Sequence, residues 1–393
     1  MPNGIVRDYA TPFLSPTRSP AADVDTDTTT ETGADAVVAA GSAGSANASV
    51  ATRHRRRGRL AAIAILVALI AVGAPLSLAL GSRSVPLDVV WDSMRHLREL
   101  LARPDSLNAD QLAVVQLRFP RTLLAVLVGA ALGVAGALIQ GHTRNPLADP
   151  GILGISSGAA LAVVAGLALG GISGTLPSAG LAFCGAALAT VAIFGLSSIG
   201  SGQVNPLTLI LAGAALSAVL NAITSAFVLT DNQNLDYMRF WTVGSVAGRD
   251  LHVFWAVLPV LAVALAAALA CGPTLNVLTM GEESASALGV NVGRSRIIAM
   301  LLIALLAGTA TAAAGPIGFI GLVIPHIARS ITGPDYRWIL PVSALAGATL
   351  LVYADIVGRL IARPAEVQVG IVLAFVGAPF FMFLIYRNRV VNV

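Results

Sequence analysis

Residues 279–296 read TMGEESASALGVNVGRSR, and residues 301–329 read LLIALLAGTATAAAGPIGFIGLVIPHIAR. The first segment is polar and predicts a short helix, with Glu282 and Glu283 in its first turn, where negative charge stabilises a helix N-terminus. Gly289 supplies the residue of positive φ that commonly ends a helix. The second segment is apolar and long enough for two membrane helices. The sequence therefore predicts a charged projection beside membrane helices.

We call this projection, residues 275–290, the knob. The spacing of Leu278, Ala285 and Leu288 predicts that these three residues lie on one face of its helix. A short charged helix that ends at a glycine and sits next to membrane helices is suited to docking a soluble protein.

The composition indicates a membrane protein that crosses the bilayer many times. The chain is 56% hydrophobic and only 11% charged, with a mean hydropathy of +0.81, whereas charged residues make up about a quarter of a soluble domain. Ten apolar stretches are long enough for a hydrocarbon layer of about 30 Å. They lie near residues 60–80, 122–140, 151–171, 176–199, 206–229, 252–271, 296–314, 316–331, 338–359 and 369–386. Only short polar breaks separate the seventh to ninth stretches, so incomplete crossing by one of them is left open.

Residues 1–59 differ from the rest of the chain. They are rich in Thr, Asp, Ser, Ala and Gly without apolar periodicity, and end in RHRRRGR. This composition predicts a disordered tail. It lacks the early apolar core of a signal peptide, so we expect the first helix to be retained. The arginines at 53–59 are interpreted as an orientation signal for a cytoplasmic N-terminus, in preference to a site for nucleic acid or anionic lipid.

With ten spans and a cytoplasmic N-terminus, the C-terminus is also expected in the cytoplasm, in the cell membrane. This topology leaves the outer face unusually basic, because Arg118, Arg121, Arg239, Arg249 and Arg359 all fall there. Either the topology is wrong, or some outer arginines have a role that offsets the bias, such as receiving an acidic protein.

Several kinds of chemistry are missing from the sequence. All 24 basic residues other than histidine are arginines, so the chain has neither the lysine of a P-loop nor an amine for a Schiff base. An ATPase that drives this protein must be another chain. Cys184 and Cys271 each lie alone in an apolar stretch and are interpreted as core residues. The five histidines form no H-x-x-x-H or H-E pair, so we expect no catalytic residues and no metal site.

The clearest ionisable residue within a predicted span is Asp355. A carboxylate in a membrane helix is costly and is a candidate for function. Arg359 follows at position i+4, however, and an ion pair in which the carboxylate holds the guanidinium is favoured over proton coupling.

The second span begins with LRFPRTLL and continues through a series of small residues. Pro120 fits the first turn of a helix, between Arg118 and Arg121. Gly129, Gly133 and Gly136 allow close approach of neighbouring helices, which indicates a helix buried among others. The following NPLADPG segment interrupts the chain, because its two prolines cannot continue a helix. Taken alone, the two arginines are equally well explained as juxtamembrane anchors.

These segments together resemble a known family. LRFPR, GALIQ, NPLADPGILGISSGA, the knob, AGPIGFIGLVIPHIAR and ADIVGRLIARPAEVQVGIVLAFVGAPFF are similar, in this order, to permease subunits of iron-siderophore, haem and cobalamin ABC importers. The resemblance covers about residues 117–384. It implies an all-α fold of ten transmembrane helices, like that of a cobalamin importer permease. The starts of two four-helix blocks, RTLLAVLVGAALGVAG and RSRIIAMLLIALLAGTATAAAG, suggest an inverted repeat.

The resemblance also implies partners and sites. The partners are two ATPase subunits, an outer substrate-binding protein, a second permease copy or a sister permease, and the bilayer, without nucleic acid. Arg118, Arg121 and Arg359 are expected to form a basic patch at the outer mouth that receives acidic side chains of the binding protein. The inner gate maps onto Asn205-Pro206. The residues that couple to the ATPase map onto Glu282, Glu283, Ser286, Leu288, Gly289 and Val290.

We therefore expect the permease subunit of an ATP-driven importer, with a ferric siderophore as substrate and no cofactor bound by this chain. Haem or cobalamin is the alternative substrate. A secondary transporter is the alternative class, but it would need carboxylates near the middle of the membrane, and only the paired Asp355 is available. A membrane-embedded enzyme would need a catalytic cluster, which the sequence lacks.

Overall fold

The computed structural model describes residues 32–102, 107–198 and 206–386, and this part of the chain is helical with no β-strand. The chain divides into two units, Met1–His54 and Arg55–Val393. The first helix, α1, has the bounds Thr32–Ala79. Helix α1 includes residues 32–59, a stretch that is rich in alanine, the strongest helix former. The predicted disorder of the tail stays a prediction. Residues 1–31 lie outside the described residues.

The remaining helices follow in chain order with short connections. They are α2 (Leu87–Arg95), α3 (Leu97–Ala102), α4 (Ala109–Leu112), α5 (Phe119–Thr143), α6 (Ile155–Gly170), α7 (Thr175–Ser198), α8 (Pro206–Thr230), α9 (Asn232–Val243), α10 (Leu251–Ala270), α11 (Gly272–Leu278), α12 (Glu282–Ala287), α13 (Val292–Ala314), α14 (Ile320–Thr332), α15 (Tyr336–Ile361) and α16 (Val369–Tyr386). A π-helical segment, Ala113–Arg118, joins α4 to α5, and a 3₁₀ turn, Pro150–Leu153, precedes α6.

Each of the ten predicted spans overlaps one of these helices. Seven helices in the described part of the chain are long and apolar enough to cross a membrane, and α6, α14 and the apolar part of α16 are shorter. Helix α14 has 13 residues, or about 20 Å at 1.5 Å per residue. It cannot cross a layer of about 30 Å by itself, so the eighth predicted span is an incomplete one.

The core of the second unit is built around α5. Helices α13, α14 and α15 pack against it, and most of the residues of α5, α13 and α15 are buried, whereas α1 and α8 are largely exposed. The predicted small-residue stripe makes this contact possible. A Cβ atom added at Gly136 would lie 2.0 Å from the carbonyl oxygen of Gly321, and one at Gly133 would lie 2.3 Å from that of Ser343. Backbone therefore packs directly on backbone.

One local prediction is confirmed and another needs correction. Pro120 lies in the first turn of α5, as predicted, and the π-helical segment before it runs into α5 without a break. The amide of Phe119 bonds to the carbonyl of Val114, five residues back, which is the π-type register. Cys271 is half-buried at the end of α10 and packs against the core, as predicted, whereas Cys184 is exposed on α7 and is not a core residue. An apolar side chain in a membrane helix can face lipid instead.

Helix α5 also defines the two ends of the unit. Arg121 lies in its first turn and Arg144 is its C-cap residue, so the two are roughly 35 Å apart along the axis. We call the end that holds Arg118, Arg121 and Arg359 the arginine end. The opposite end, which holds residues 275–290, is the knob end.

Candidate functional site

The knob consists of two short helices. Helices α11 and α12 are separated by a turn in which Gly281 has a φ of 114°. After α12, Gly289 has a φ of 84°. Its amide bonds to the carbonyl of Ser286 at 3.0 Å, and the amide of Val290 bonds to that of Ala285 at 3.0 Å. These are the two hydrogen bonds of a Schellman motif, so the predicted glycine stop is confirmed.

The tip of the knob is exposed and carries apolar side chains. Leu278 and Ala285 are buried, whereas Leu288 is 63% exposed and Met280 is 66% exposed. The prediction that Leu278, Ala285 and Leu288 lie on one face of a single helix is therefore wrong. The turn at Gly281 interrupts the helix and places Leu278 in α11 and Ala285 in α12, so the spacing of one continuous helix does not apply. Glu283 and Ser286 are exposed beside these apolar side chains, and the tip is suited to contact with another protein.

Glu282 ties the knob to two long helices. Its Oε1 lies 2.7 Å from Nη2 of Arg296 in α13 and 3.5 Å from Nη2 of Arg144, the C-cap residue of α5. Arg144 has a φ of 48°, a left-handed conformation in which a non-glycine residue is uncommon. Glu282 thus has two partners within this chain, which hold the knob to the ends of α5 and α13. Its predicted role in coupling to an ATPase stays a prediction.

A second connection joins the knob to α15. The side-chain amide nitrogen of Asn276 donates to Oδ1 of Asp335 at 2.7 Å, and the side-chain oxygen of Asn276 accepts from the amide of Tyr336 at 2.7 Å. Asp335 is the N-cap residue of α15. A displacement of the knob therefore acts on three of the most buried helices, α5, α13 and α15.

At the arginine end, one carboxylate holds two guanidinium groups. Asp355 lies 3.0 Å from Nη2 of Arg359, so the predicted ion pair is confirmed. The same carboxylate accepts two hydrogen bonds from Nε and one from Nη2 of Arg121, at 2.8 to 3.0 Å. Glu366 adds a second acid, 2.6 Å from Nη1 of Arg121. The predicted i, i+4 pair is thus part of a larger cluster of alternating charge.

The other two arginines cap the C-terminal end of the first membrane helix, α1. Arg118 donates from Nη1 to the carbonyls of Leu78 and Ala79, both at 2.8 Å, and from Nη2 to that of Arg83. Arg359 donates from Nη1 to the carbonyl of Ser77 at 2.7 Å and to that of Leu80 at 2.8 Å. The last carbonyls of a helix have no partner within the helix. Here two guanidinium groups satisfy them and place positive charge at the negative end of the helix dipole.

The structure brings the three predicted docking arginines together but buries them. Arg118 and Arg121 are each 7% exposed and Arg359 is 1% exposed, because their donors are directed at helix carbonyls and carboxylates. These side chains do not form the exposed basic patch that was expected, and their docking role stays a prediction. The predicted gate is not tested either, because Asn205 lies outside the described residues and Pro206 is the first residue of α8.

Sequence reasoning missed the second acid of the cluster and a polar pocket beside it. Glu366 lies in ARPAEVQVG, directly after the ninth span. An acidic residue in a segment expected at the basic outer face was the signal that could have identified it. The pocket has a volume of about 440 Å³, and its lining includes Arg121, Glu366 and Arg249. No group of His, Cys, Asp and Glu that could hold a metal ion occurs among the residues that the structure describes.

Comparison with known proteins identifies the family. Residues 66–387 match the model of the FecCD transport family. The chain belongs to this family. The matched residues include both the arginine end and the knob. The chain is therefore an ABC importer permease.

Individual FecCD relatives cover most of the chain. The ferric enterobactin transport permease FepD of Escherichia coli K12 is 44% identical over 81% of this chain and 93% of its own length. The iron(3+)-hydroxamate import permease FhuB of Bacillus subtilis 168 is 37% identical over 82% of each chain. The cobalamin import permease BtuC of Halobacterium salinarum is 39% identical over 72% of this chain and 75% of its own length.

A solved structure supports the same fold. A metal-chelate-type ABC transporter in an inward-facing conformation superimposes with a TM-score of 0.71 at 29% identity. The match covers 82% of this chain and 97% of the other. The all-helical multi-pass membrane fold predicted from the sequence is thereby confirmed.

Proposed function

We propose that this FecCD permease carries a ferric siderophore into the cell, driven by two ATPase subunits that dock at the knob end. The observation that carries this proposal is the knob itself. Its exposed tip, with Met280 and Leu288, is available to a partner, while Glu282 and Asn276 connect its base to three buried helices. A displacement of the tip is therefore transmitted to α5, α13 and α15. Movement of these helices can switch the pathway between an outward-open and an inward-open state.

The knob end then faces the cytoplasm, together with both termini, and the arginine end faces outward toward a substrate-binding protein. The pathway would lie between this subunit and a second permease, identical or related. Without lysine the chain has no P-loop, so ATP would be bound and hydrolysed by the partner subunits, and no cofactor is assigned to this chain.

The substrate is proposed from the relatives. Permeases for ferric enterobactin, ferric hydroxamates and ferric citrate are 37–44% identical to this chain, which supports an iron chelate. Haem and cobalamin permeases are each 39% identical and remain the alternative. A secondary transporter would need an available carboxylate within the membrane. Asp355 is paired with two arginines, and Asp149 accepts from the amide of Gly151 as the N-cap of the 3₁₀ turn.

Reconstitution in proteoliposomes tests the proposal. The isolated chain should not hydrolyse ATP, and the complex with its ATPase should, with stimulation by a binding protein. Radiolabelled iron presented as a siderophore complex should accumulate only with ATP, and unlabelled haem or cobalamin should not compete. Accumulation that follows an ion gradient without ATP would establish a secondary transporter, and competition by haem or cobalamin would reassign the substrate.

A further inference from the structure

The start of the first membrane helix is fixed to the knob end by Arg59. Its Nε donates to the carbonyl of Thr332 at 2.9 Å, and its Nη1 lies 3.8 Å from Oδ2 of Asp335. The guanidinium also lies over the ring of Trp338, 5.5 Å from the centroid. Asp335 is in turn bonded to Asn276 of the knob. Helix α1 is therefore connected to the base of the knob.

Two further arginines lie one turn before Arg59. Arg56 and Arg57 are exposed, and neither forms an ion pair within 4 Å in the described part of the chain. They lie where the apolar span Arg56–Ala79 begins, which is the level of the lipid headgroups. The ring of Trp338 beside Arg59 is half-buried, and tryptophan is enriched at that level. Arginines directly beside a membrane helix attract anionic phospholipids.

An apolar pocket lies deeper along the same face of α1. It has a volume of about 440 Å³ and lies between α1, α14, α15 and α16, with Leu66, Ile327 and Phe380 in its lining. Arg56, Arg59 and Leu66 share one face of α1, because they are separated by three and seven residues. The helix rise places Leu66 about 10 Å from Arg59 along the axis. One elongated molecule can therefore reach both the arginines and the pocket.

The walls of the pocket require an apolar occupant. Among the described residues that line it, only Thr349 and Tyr353 have polar side chains. The hydroxyl of Thr349 donates to the carbonyl of Leu345 at 2.8 Å, and that of Tyr353 donates to the carbonyl of Leu69 at 3.0 Å. Both hydroxyls are thus already bonded within the protein. A hydrocarbon chain matches such a pocket, because it leaves no polar group to be satisfied.

We infer that this site binds an anionic phospholipid, with its phosphate at Arg56 and Arg57 and one acyl chain in the pocket. The orientation signal predicted from the sequence accounts for the charge of residues 53–59, but it requires no apolar pocket on the same helix face. A second copy of the permease fits less well, because burial of the two arginines against its apolar helices would leave their charges without partners. The bound headgroup lies beside the contacts that connect α1 to the knob.

The test measures lipid binding by native mass spectrometry of the purified full-length protein in detergent micelles. The probes are phosphatidylglycerol and phosphatidylcholine with the same acyl chains. The wild type should bind one phosphatidylglycerol about 25-fold more tightly than phosphatidylcholine, since each arginine near the headgroups favours an anionic lipid about fivefold. Arg56→Gln should reduce this preference to about fivefold, and Arg56→Gln/Arg57→Gln should abolish it. Arg294→Gln is the matched control, an exposed arginine in the first turn of α13, and should leave the preference unchanged.

A second pair of variants tests the pocket without changing charge. Val376 lines the pocket and is 56% exposed, so Val376→Trp should fill the pocket without disturbing the core and should weaken binding of both lipids. Phe375→Trp is its control, because Phe375 is 77% exposed and lies outside the lining. Equal affinity of the wild type for the two lipids, or an unchanged preference in the double arginine variant, overturns the inference. Unchanged lipid binding by Val376→Trp also overturns it, and loss of a dimer in that variant would assign the pocket to a second permease.

Discussion

Arg121 and Asp355 form a two-point ion pair in which Nε of the arginine lies 3.0 Å from both carboxylate oxygens and Nη2 lies 2.8 Å from Oδ1. Arg121 is 7% exposed and Asp355 is 1% exposed. The pair joins the first turn of α5 to the last turns of α15, and the same carboxylate also holds Arg359. The stability of the fold depends on both charges, because removing one leaves the other buried without a counterion.

Arg121→Ala should therefore lower the free energy of unfolding by about 3–5 kcal/mol, the usual effect of leaving a buried charge unpaired. Unfolding in detergent micelles measures this, with Arg239→Ala as the exposed control, expected to cost less than about 1 kcal/mol. The double variant Arg121→Ala/Asp355→Ala should be more stable than the sum of the two single changes predicts. Additive losses would mean that the pair contributes little.

The close approach of α5 and α14 is the basis of a second prediction. At Gly136, an added Cβ atom would meet the carbonyl oxygen of Gly321 at 2.0 Å. Because the obstacle is backbone, the helices must move apart, and Gly136→Ala should destabilise the protein by at least about 1–3 kcal/mol. Gly195→Ala in α7 is the control, since a Cβ atom there meets nothing within 4 Å. Equal melting temperatures for the two variants would contradict the observed packing.

Much of the fold could be predicted because membrane helices are encoded locally. Length and hydropathy located all ten apolar segments, and the spacing of Gly133 and Gly136 indicated a buried helix. The short α14 was not located accurately, because hydropathy does not show that residues 315–319 are non-helical. In that segment, Phe319 has a φ of 68°, a backbone conformation that a phenylalanine gives no reason to expect.

The sites were less predictable, because they depend on contacts between distant residues. The i, i+4 spacing of Asp355 and Arg359 was enough to predict the ion pair between them. The bonds from Arg118 to the carbonyls of Leu78 and Ala79 span about 40 residues and leave no pattern in the sequence. For the same reason the sequence shows no sign that Glu282 pairs with Arg144 and Arg296 when the chain is folded.

That ion-pair network predicts different roles for two adjacent acids in the knob. Glu282→Gln should loosen the knob, because it removes the charge that Arg296 and Arg144 share. Glu282 is half-exposed, so the loss should be about 0.5–1 kcal/mol, or a two- to fivefold faster hydrogen exchange of the knob amides. Glu283→Gln should accelerate this exchange less, since it removes only the favourable charge at the helix N-terminus and Glu283 forms no ion pair within 4 Å among the described residues. Equal exchange rates in the two variants would show that the ion pairs of Glu282 with Arg296 and Arg144 do not hold the knob in place.

The last prediction concerns Gly289, where the backbone rather than the space around it limits substitution. A Cβ atom added there meets nothing within 4 Å, but φ is 84°. Gly289→Val should therefore cost about 1–2 kcal/mol through backbone strain alone. Because the strain falls on the helix stop of the knob, transport should decrease relative to ATP hydrolysis while membrane insertion remains normal.

Two further variants separate strain from side-chain bulk. Gly289→Asn should retain most of the transport, since asparagine tolerates the left-handed conformation. Gly293→Val adds the same side chain in the first turn of α13, where φ is not positive, and should have little effect. The measurement is the ratio of chelate transported to ATP hydrolysed in proteoliposomes. A normal ratio for Gly289→Val would show that the stop of the knob does not need this backbone conformation, and the knob would then not be the coupling element.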